Sequence, residues 1–186
     1  MKKRFVGIVL LLISIGVLSY FLNESIDEVY PPYFPQEEKY YCGEACIQMM
    51  IAYYNVTPLP SQDELAIEAG FSHNETHPNN MSRPFTNRNF DVCTTENRNF
   101  TEAYNQLINT LNVKPVIILV TIQDSTGDYF GHYLFIFEYT KNGVQYHDPQ
   151  TQANQCMTVD ELEIQWFHNC NISGRKTCWL LCLEET

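Results

Sequence analysis

Basic residues are scarce in this chain of 186 residues, with 11 Lys and Arg against 22 Asp and Glu. Lys2, Lys3 and Arg4 account for three of the 11. Beyond them, 8 basic residues face 22 acidic ones, a net of −14. A domain so acidic, without a basic run or basic–aromatic interleaving, repels nucleic acid and anionic lipid surfaces. Nucleic acid is therefore excluded as a partner. CxxC pairs are absent as well, and Cys178 and Cys182 lie four apart in a strand-like run, a poor match to zinc-finger or ribbon spacing. No metal or cofactor is implied. Internal repeats and low-complexity tracts are missing too, which excludes solenoids and fibrous arrays.

One segment lacks a polar face altogether. Residues 5–22 are predominantly apolar, carry no charged residue and follow the basic triplet. Eighteen residues is the short edge of a membrane span and long for a signal-peptide core. Residues 1–22 are thus expected to be a signal anchor or a signal peptide, with the basic flank inside and everything after Asn23 outside. The expected location is the cell surface, single-pass and membrane-anchored, or secreted if the segment is cleaved. Six Asn-x-Ser/Thr sequons, at Asn23, Asn55, Asn74, Asn80, Asn99 and Asn171, agree with export of a glycoprotein. Seven cysteines (Cys42, Cys46, Cys93, Cys156, Cys170, Cys178, Cys182) are then expected to be mostly disulfide-bonded. An odd count leaves at least one thiol over.

The rest of the chain reads as a short linker, residues 23–35, and one domain, residues 36–186. "YPPYFPQ" cannot hold a helix. Cys46, Met49, Met50 and Tyr53 recur at helical spacing and predict an amphipathic helix over residues 43–54. Ser61 with Glu64 forms a capping box, and Gly70 closes that second helix. Residues 71–98, rich in Asn, Thr, His and Pro, predict a long irregular loop. A third helix follows over residues 101–112. "PVIILVTI" (115–122) has the continuous apolar character of a central strand. "HYLFIFEY" (132–139) and "VQYHDP" (144–149) read as a hairpin, Thr158 caps a late helix, and "TCWLLCL" (177–183) is a closing strand. Helices first and sheet second is an α+β order.

Cys42 stands where the first helix begins, so unpaired backbone N–H groups and the macrodipole favour its thiolate, the reactive form. Gly43 removes a side chain beside it. A cysteine nucleophile needs a base, an orienter for that base, and donors for the developing oxyanion. Of five histidines, His73 and His77 fall in the long loop and His168 at a helix end. His132 opens a strong strand, with the acidic Asp148 on the next one; His147 shares that second strand. A lone histidine is more often a satisfied core or surface residue. The carboxylate makes His132 the candidate base and Asp148 its orienter. Gln36 offers a side-chain amide to the oxyanion beside the N–H of Cys42.

A geometric condition attaches to this set. A two-residue Asn142-Gly143 turn would pair His132 with Ala153 and put Asp148 on the opposite face. A shared face requires an odd-numbered loop or a bulge, with the turn centred near residues 140–141.

Gln36 six residues before Cys42, "CGEAC" opening an apolar helix, "GHYLFIFEY", and "DP" sixteen residues after the histidine resemble the papain-like, bacteriocin-processing peptidases. These are the domains that cut double-glycine leader peptides, together with their stand-alone C39-like relatives. The resemblance spans about residues 36–183. It implies a papain-like fold with N-terminal helices packed on a C-terminal antiparallel sheet, and a thiol hydrolase acting on a peptide or protein substrate. It implies Cys42 as nucleophile, His132 as base, Asp148 as orienter and Gln36 as oxyanion donor. Cys46, where such helices carry a small core residue, is expected to be a buried free thiol. The sequon-rich loop departs from the leader-cutting members, so their substrate is not implied. A catalytically silent surface module on the same fold and a thiol acyltransferase stay open as alternatives.

Overall fold

A computed structural model describes residues 31–72, 75–123, 126–168, 171–172 and 175–184. The apolar segment 1–22, most of the linker, His73, Asn74 and Cys170 lie outside the described residues. Among those described, no helix is long and apolar enough to cross a membrane.

Helix α1 (Cys42–Tyr53) is followed by α2 (Gln62–Ala69), a 3-10 turn (Pro78–Asn80) and the short α3 (Arg83–Thr86). Then come β1 (Asp91–Asn97), α4 (Phe100–Leu111), β2 (Val116–Gln123), β3 (Tyr129–Thr140), β4 (Gly143–Asp148) and β5 (Gln152–Thr158). A one-turn α5 (Val159–Leu162) runs into a π-helical turn (Glu163–His168). The small pair β6 (Asn171–Ile172) and β7 (Arg175–Lys176) leads to β8 (Cys178–Glu184). The main sheet has six strands in the order β1-β8-β2-β3-β4-β5, with every neighbouring pair antiparallel.

Local chemistry sets several boundaries. The Ser61–Glu64 capping box starts α2, and Gly70 at φ +64° ends it. Asn99 caps α4 by accepting from the Glu102 N–H, and a Thr158–Glu161 box starts α5. β2 is buried from Val116 to Val120, as a continuous apolar run demands.

Two expectations need correction. The loop over residues 71–98 is not irregular throughout, since it holds two short helical pieces and the edge strand β1, paired with β8. Its polar Asp-Val-Cys-Thr-Thr-Glu-Asn stretch has little apolar signal, because an edge strand needs its partner more than a core. The disulfide expectation also fails among the described residues: Cys42, Cys46, Cys93, Cys156 and Cys182 are free thiols. Cys46 is sealed in the core as expected, and Cys156 is exposed on the far edge strand. Cys93 and Cys182 face one another across β1 and β8.

Two hydrophobic clusters flank the sheet. One gathers α1, Leu65, Met81, Phe85, Tyr133, Phe135 and Trp179. The other gathers α4, Ile118, Leu134, Ile136, Trp166 and Leu180. Trp166 donates its indole N–H to the Trp179 carbonyl at 2.9 Å, satisfying the one polar group it buries. Burying each such large side chain contributes roughly 1.5–3 kcal/mol. Helix α1, expected to be amphipathic, is buried on all sides from Cys42 to Ile51. Glu44 and Gln48 are buried with the rest, and each has a hydrogen-bond partner from the segments that cover α1.

Candidate active site

Cys42 is the first residue of α1. The N-cap residue Tyr41 makes no side-chain capping bond at this end of the helix, where the thiol sits. Gly43 suits the packing, because a Cβ there would lie 3.2 Å from both the Met81 sulfur and the Tyr133 ring, and those side chains would have to give by a few tenths of an ångström. The absent side chain thus lets Tyr133 of β3 approach the start of the helix.

The β3–β4 hairpin supplies the histidine and the carboxylate. Its turn is Lys141-Asn142, with Thr140 paired to Gly143, and a bulge falls between Ile136 and Glu138. The turn alone would set Asp148 opposite Phe135, on the face away from His132. The bulge at Phe137 shifts the register by one, so that Ile136 pairs with Tyr146 and Asp148 shares the face of His132. The condition read from the sequence is met, with the turn one residue later than expected. Gly143 holds φ +151°, and a Cβ there would come 1.9 Å from the Met157 carbonyl oxygen, so only glycine fits.

His132 is 1% exposed and Cys42 is 9% exposed. His132 Nε2 lies 2.7 Å from Asp148 Oδ1. The other side-chain partner of the imidazole is Cys42, which leaves Nδ1 for the sulfur. Burial pushes the His132 pKa down, but the hydrogen bonds and charges of Asp148 and Cys42 outweigh it and hold the value at about 9. Asp148 shows the reciprocal balance. Burial raises its pKa, while the His132 hydrogen bond and charge, the Gln150 N–H at 2.8 Å and Thr151 bring it below the usual carboxylate range. Both directions describe one ionised pair.

Gln36 belongs to a lead-in that is stitched to the end of β4. His147 donates from Nε2 to the Pro31 carbonyl at 2.8 Å, and the Tyr33 hydroxyl donates to the Asp148 carbonyl at 3.2 Å. The Gln36 N–H donates to the Pro149 carbonyl at 2.9 Å. Its side-chain amide has no hydrogen-bond partner among the described residues and stays available. Cys42, His132 and Asp148 therefore come together, and Gln36 is tied beside Asp148 through Pro149. His77 sits elsewhere, accepting from Asn79 at the 3-10 turn.

The fold agrees with the comparisons. The family profile described as "Peptidase_C39 like family" matches residues 29–171. The chain belongs to that family. A double-glycine-motif protease from an AMS/PCAT transporter, solved in complex with the leader peptide, is 16% identical. It covers 87% of this C39-like chain and 96% of its own, with a TM-score of 0.58. The peptidase domain of Streptococcus ComA, a bifunctional ABC transporter of a quorum-sensing pathway, is also 16% identical, over 84% of this chain and 100% of its own, with a TM-score of 0.59. That of Streptococcus mutans ComA has the same identity and coverage and a TM-score of 0.54. At that identity these likenesses establish the papain-like α+β fold. No curated protein matches the sequence.

Several buried polar groups of the C39-like domain escaped the sequence reading. Gln48 and Gln62, 6% and 1% exposed, form a hydrogen-bonded pair behind the lead-in. Glu44, two residues past Cys42, is fully buried and accepts from the Thr76 hydroxyl, while its Oε2 has no partner among the described residues. Burial raises the Glu44 pKa, which the Thr76 bond only partly offsets. Tyr133 donates to the carbonyl of the same Thr76 at 2.8 Å, so the first part of the 71–98 segment is pinned over α1. Nothing local marks these residues, since Gln62 reads as an ordinary exposed position in the first turn of a helix.

Proposed function

We propose that this chain is an exported cysteine peptidase, held at the cell surface by residues 1–22, that hydrolyses peptide bonds through Cys42, His132 and Asp148. The observation that carries the reading is a buried imidazole hydrogen-bonded to a carboxylate on one side and to the thiol at a helix start on the other. The thiolate attacks the peptide carbonyl carbon, and the oxyanion is received by the Gln36 amide and the Cys42 N–H. The C–N bond breaks as His132 gives its proton to the leaving amine. Water then loses a proton to His132, attacks the thioester and releases the acid as the C–S bond breaks. With its pKa near 9, His132 carries a proton at neutral pH, as a donor to a leaving amine must. Asp148 orients the ring and stabilises the imidazolium. The family relative bound to a leader peptide supports a peptide substrate for the same fold. The basic flank, the apolar run and the six sequons support the exported location.

The test is cleavage of a mixed peptide library by the purified full chain in detergent micelles, with Cys42→Ala as the blank. Cleavage that vanishes in the blank is expected, together with fast iodoacetamide alkylation of Cys42 at pH 6–7. An alkylated Cys42 with no library peptide cut would overturn the peptidase reading. Protease shaving of intact cells, which must reach the domain, tests the location.

A further inference from the structure

We infer that Gln62 is the positioning residue of the Gln36 oxyanion arm, acting as a side-chain substitute for a strand neighbour. The inference rests on the reading of Gln36 given above and deepens it. The main-chain groups flanking Gln36 both bond to one buried carboxamide. Gln62 Oε1 accepts from the Glu37 N–H at 2.9 Å, and Gln62 Nε2 donates to the Pro35 carbonyl at 2.8 Å. In an extended chain the C=O of one residue and the N–H two residues on point to the same side, while the groups of the residue between point away. Gln36 obeys this pattern, sending its own N–H the other way to the Pro149 carbonyl. Residues 35–37 therefore lie as a short strand between an amide side chain and the end of β4. The backbone of Gln36 is clamped on both sides, and only its side-chain torsions stay free.

The clamp is itself held. The second N–H of Gln62 donates to Gln48 Oε1 at 3.1 Å, and Gln48 donates to the Pro60 carbonyl at 2.8 Å. Gln48 lies on α1, the helix that starts at Cys42, and Pro149 follows Asp148. One chain of amides thus refers the oxyanion arm to the nucleophile's helix, and one backbone bond refers it to the base's carboxylate. A buried primary amide with both protons donated and its oxygen accepting is fully satisfied, so it rigidifies where a half-satisfied group would destabilise. The cluster holds no titratable group. A glutamate at 62 would aim a carboxylate at two oxygens, Pro35 O and Gln48 Oε1.

The experiment compares Gln62→Met, Gln36→Ala and the double variant in the full chain. The probe is the library peptide that the wild-type protein cuts best. Gln62→Met is expected to lower kcat about 10- to 100-fold with KM within about twofold, short of the roughly 10²- to 10³-fold cost of losing an oxyanion donor outright. Iodoacetamide alkylation of Cys42 should stay within about twofold of wild type, which a general loosening of the site would not allow. In the Gln36→Ala background the Gln62→Met loss should disappear. Should Gln62→Met fail to fold, Gln48→Met, which leaves the bonds to Pro35 and Glu37 intact, is expected to lower kcat a few-fold and to be silent beside Gln36→Ala. Additive losses, or alkylation falling in step with kcat, overturn the inference. A Gln36→Ala variant as active as wild type removes the oxyanion role of Gln36 itself, whereas a wild-type-like Gln62→Met beside a crippled Gln36→Ala removes only the clamp.

Discussion

His132 and His147 stand on adjacent strands, each 1% exposed, and their surroundings drive them to opposite charge states. His147 sits among aromatic rings, stacked on Phe135 with Phe137 and Tyr33 against it. Its Nδ1 accepts from the Asn154 N–H at 3.1 Å, so its single proton is on Nε2, donated to Pro31. Burial lowers its pKa, and the bond to Pro31 offsets that only in part. His132 suffers the same burial but has a carboxylate on one nitrogen and the thiol on the other, and its pKa rises to about 9. Equal burial thus says nothing about charge; the partners decide. One histidine is a neutral joint that ties the lead-in to the sheet, and the other is a cation beside Cys42.

The severest way to break the comparison is His132→Gln, which removes the proposed proton carrier. The expected loss in kcat/KM is on the order of a thousandfold or more, against less than about threefold for His147→Gln, measured on the best library peptide. Asp148→Asn should come next. It deletes the charge that separates the two histidines, so kcat is expected to fall about 10²- to 10³-fold. In that variant the His132 pKa, followed by NMR of the ring protons, should drop from about 9 toward or below its ordinary value. A His132 that still titrates near 9 would show that Asp148 is not the cause.

Stability against pH sharpens the same contrast. His132 has a raised folded pKa, so its contribution is complete below about 6.5 and is lost as pH rises toward 9. His147 has a depressed one, so its contribution is complete above about 6.5 and is lost as pH falls below that. Urea unfolding from pH 5 to pH 9 should give a maximum near the middle. His132→Gln is expected to flatten the alkaline side and His147→Gln the acid side; unchanged slopes in either variant would refute the assignment. The smallest effect is the cost of His147→Gln at pH 7. Glutamine can still donate to Pro31 and accept from Asn154, so only ring packing is lost, about 1 kcal/mol in unfolding free energy.

Much of this architecture is legible along the chain. The Ser61 and Thr158 caps act through neighbours three residues away, and β2 announces itself by an apolar run. Even the need for an odd-numbered loop or a bulge between β3 and β4 is legible, because side-chain alternation makes a shared face for His132 and Asp148 a question of counting. The edge strands β1 and β5 were not legible. Their residues alternate weakly and are mostly polar, so hydrogen bonds to β8 and β4 define them, not a buried face.

By itself, then, the sequence determined where α1, α2, α4 and α5 begin, which run lies at the centre of the sheet, and which thiol, imidazole, carboxylate and amide were candidates for one site. Those features depend on interactions reaching only a few residues along the chain. Tertiary structure alone decided the clamp on residues 35–37 and the opposite charges of two equally buried histidines. Both arise where segments distant in sequence exclude water together, and desolvation and charge act through space without regard to position along the chain.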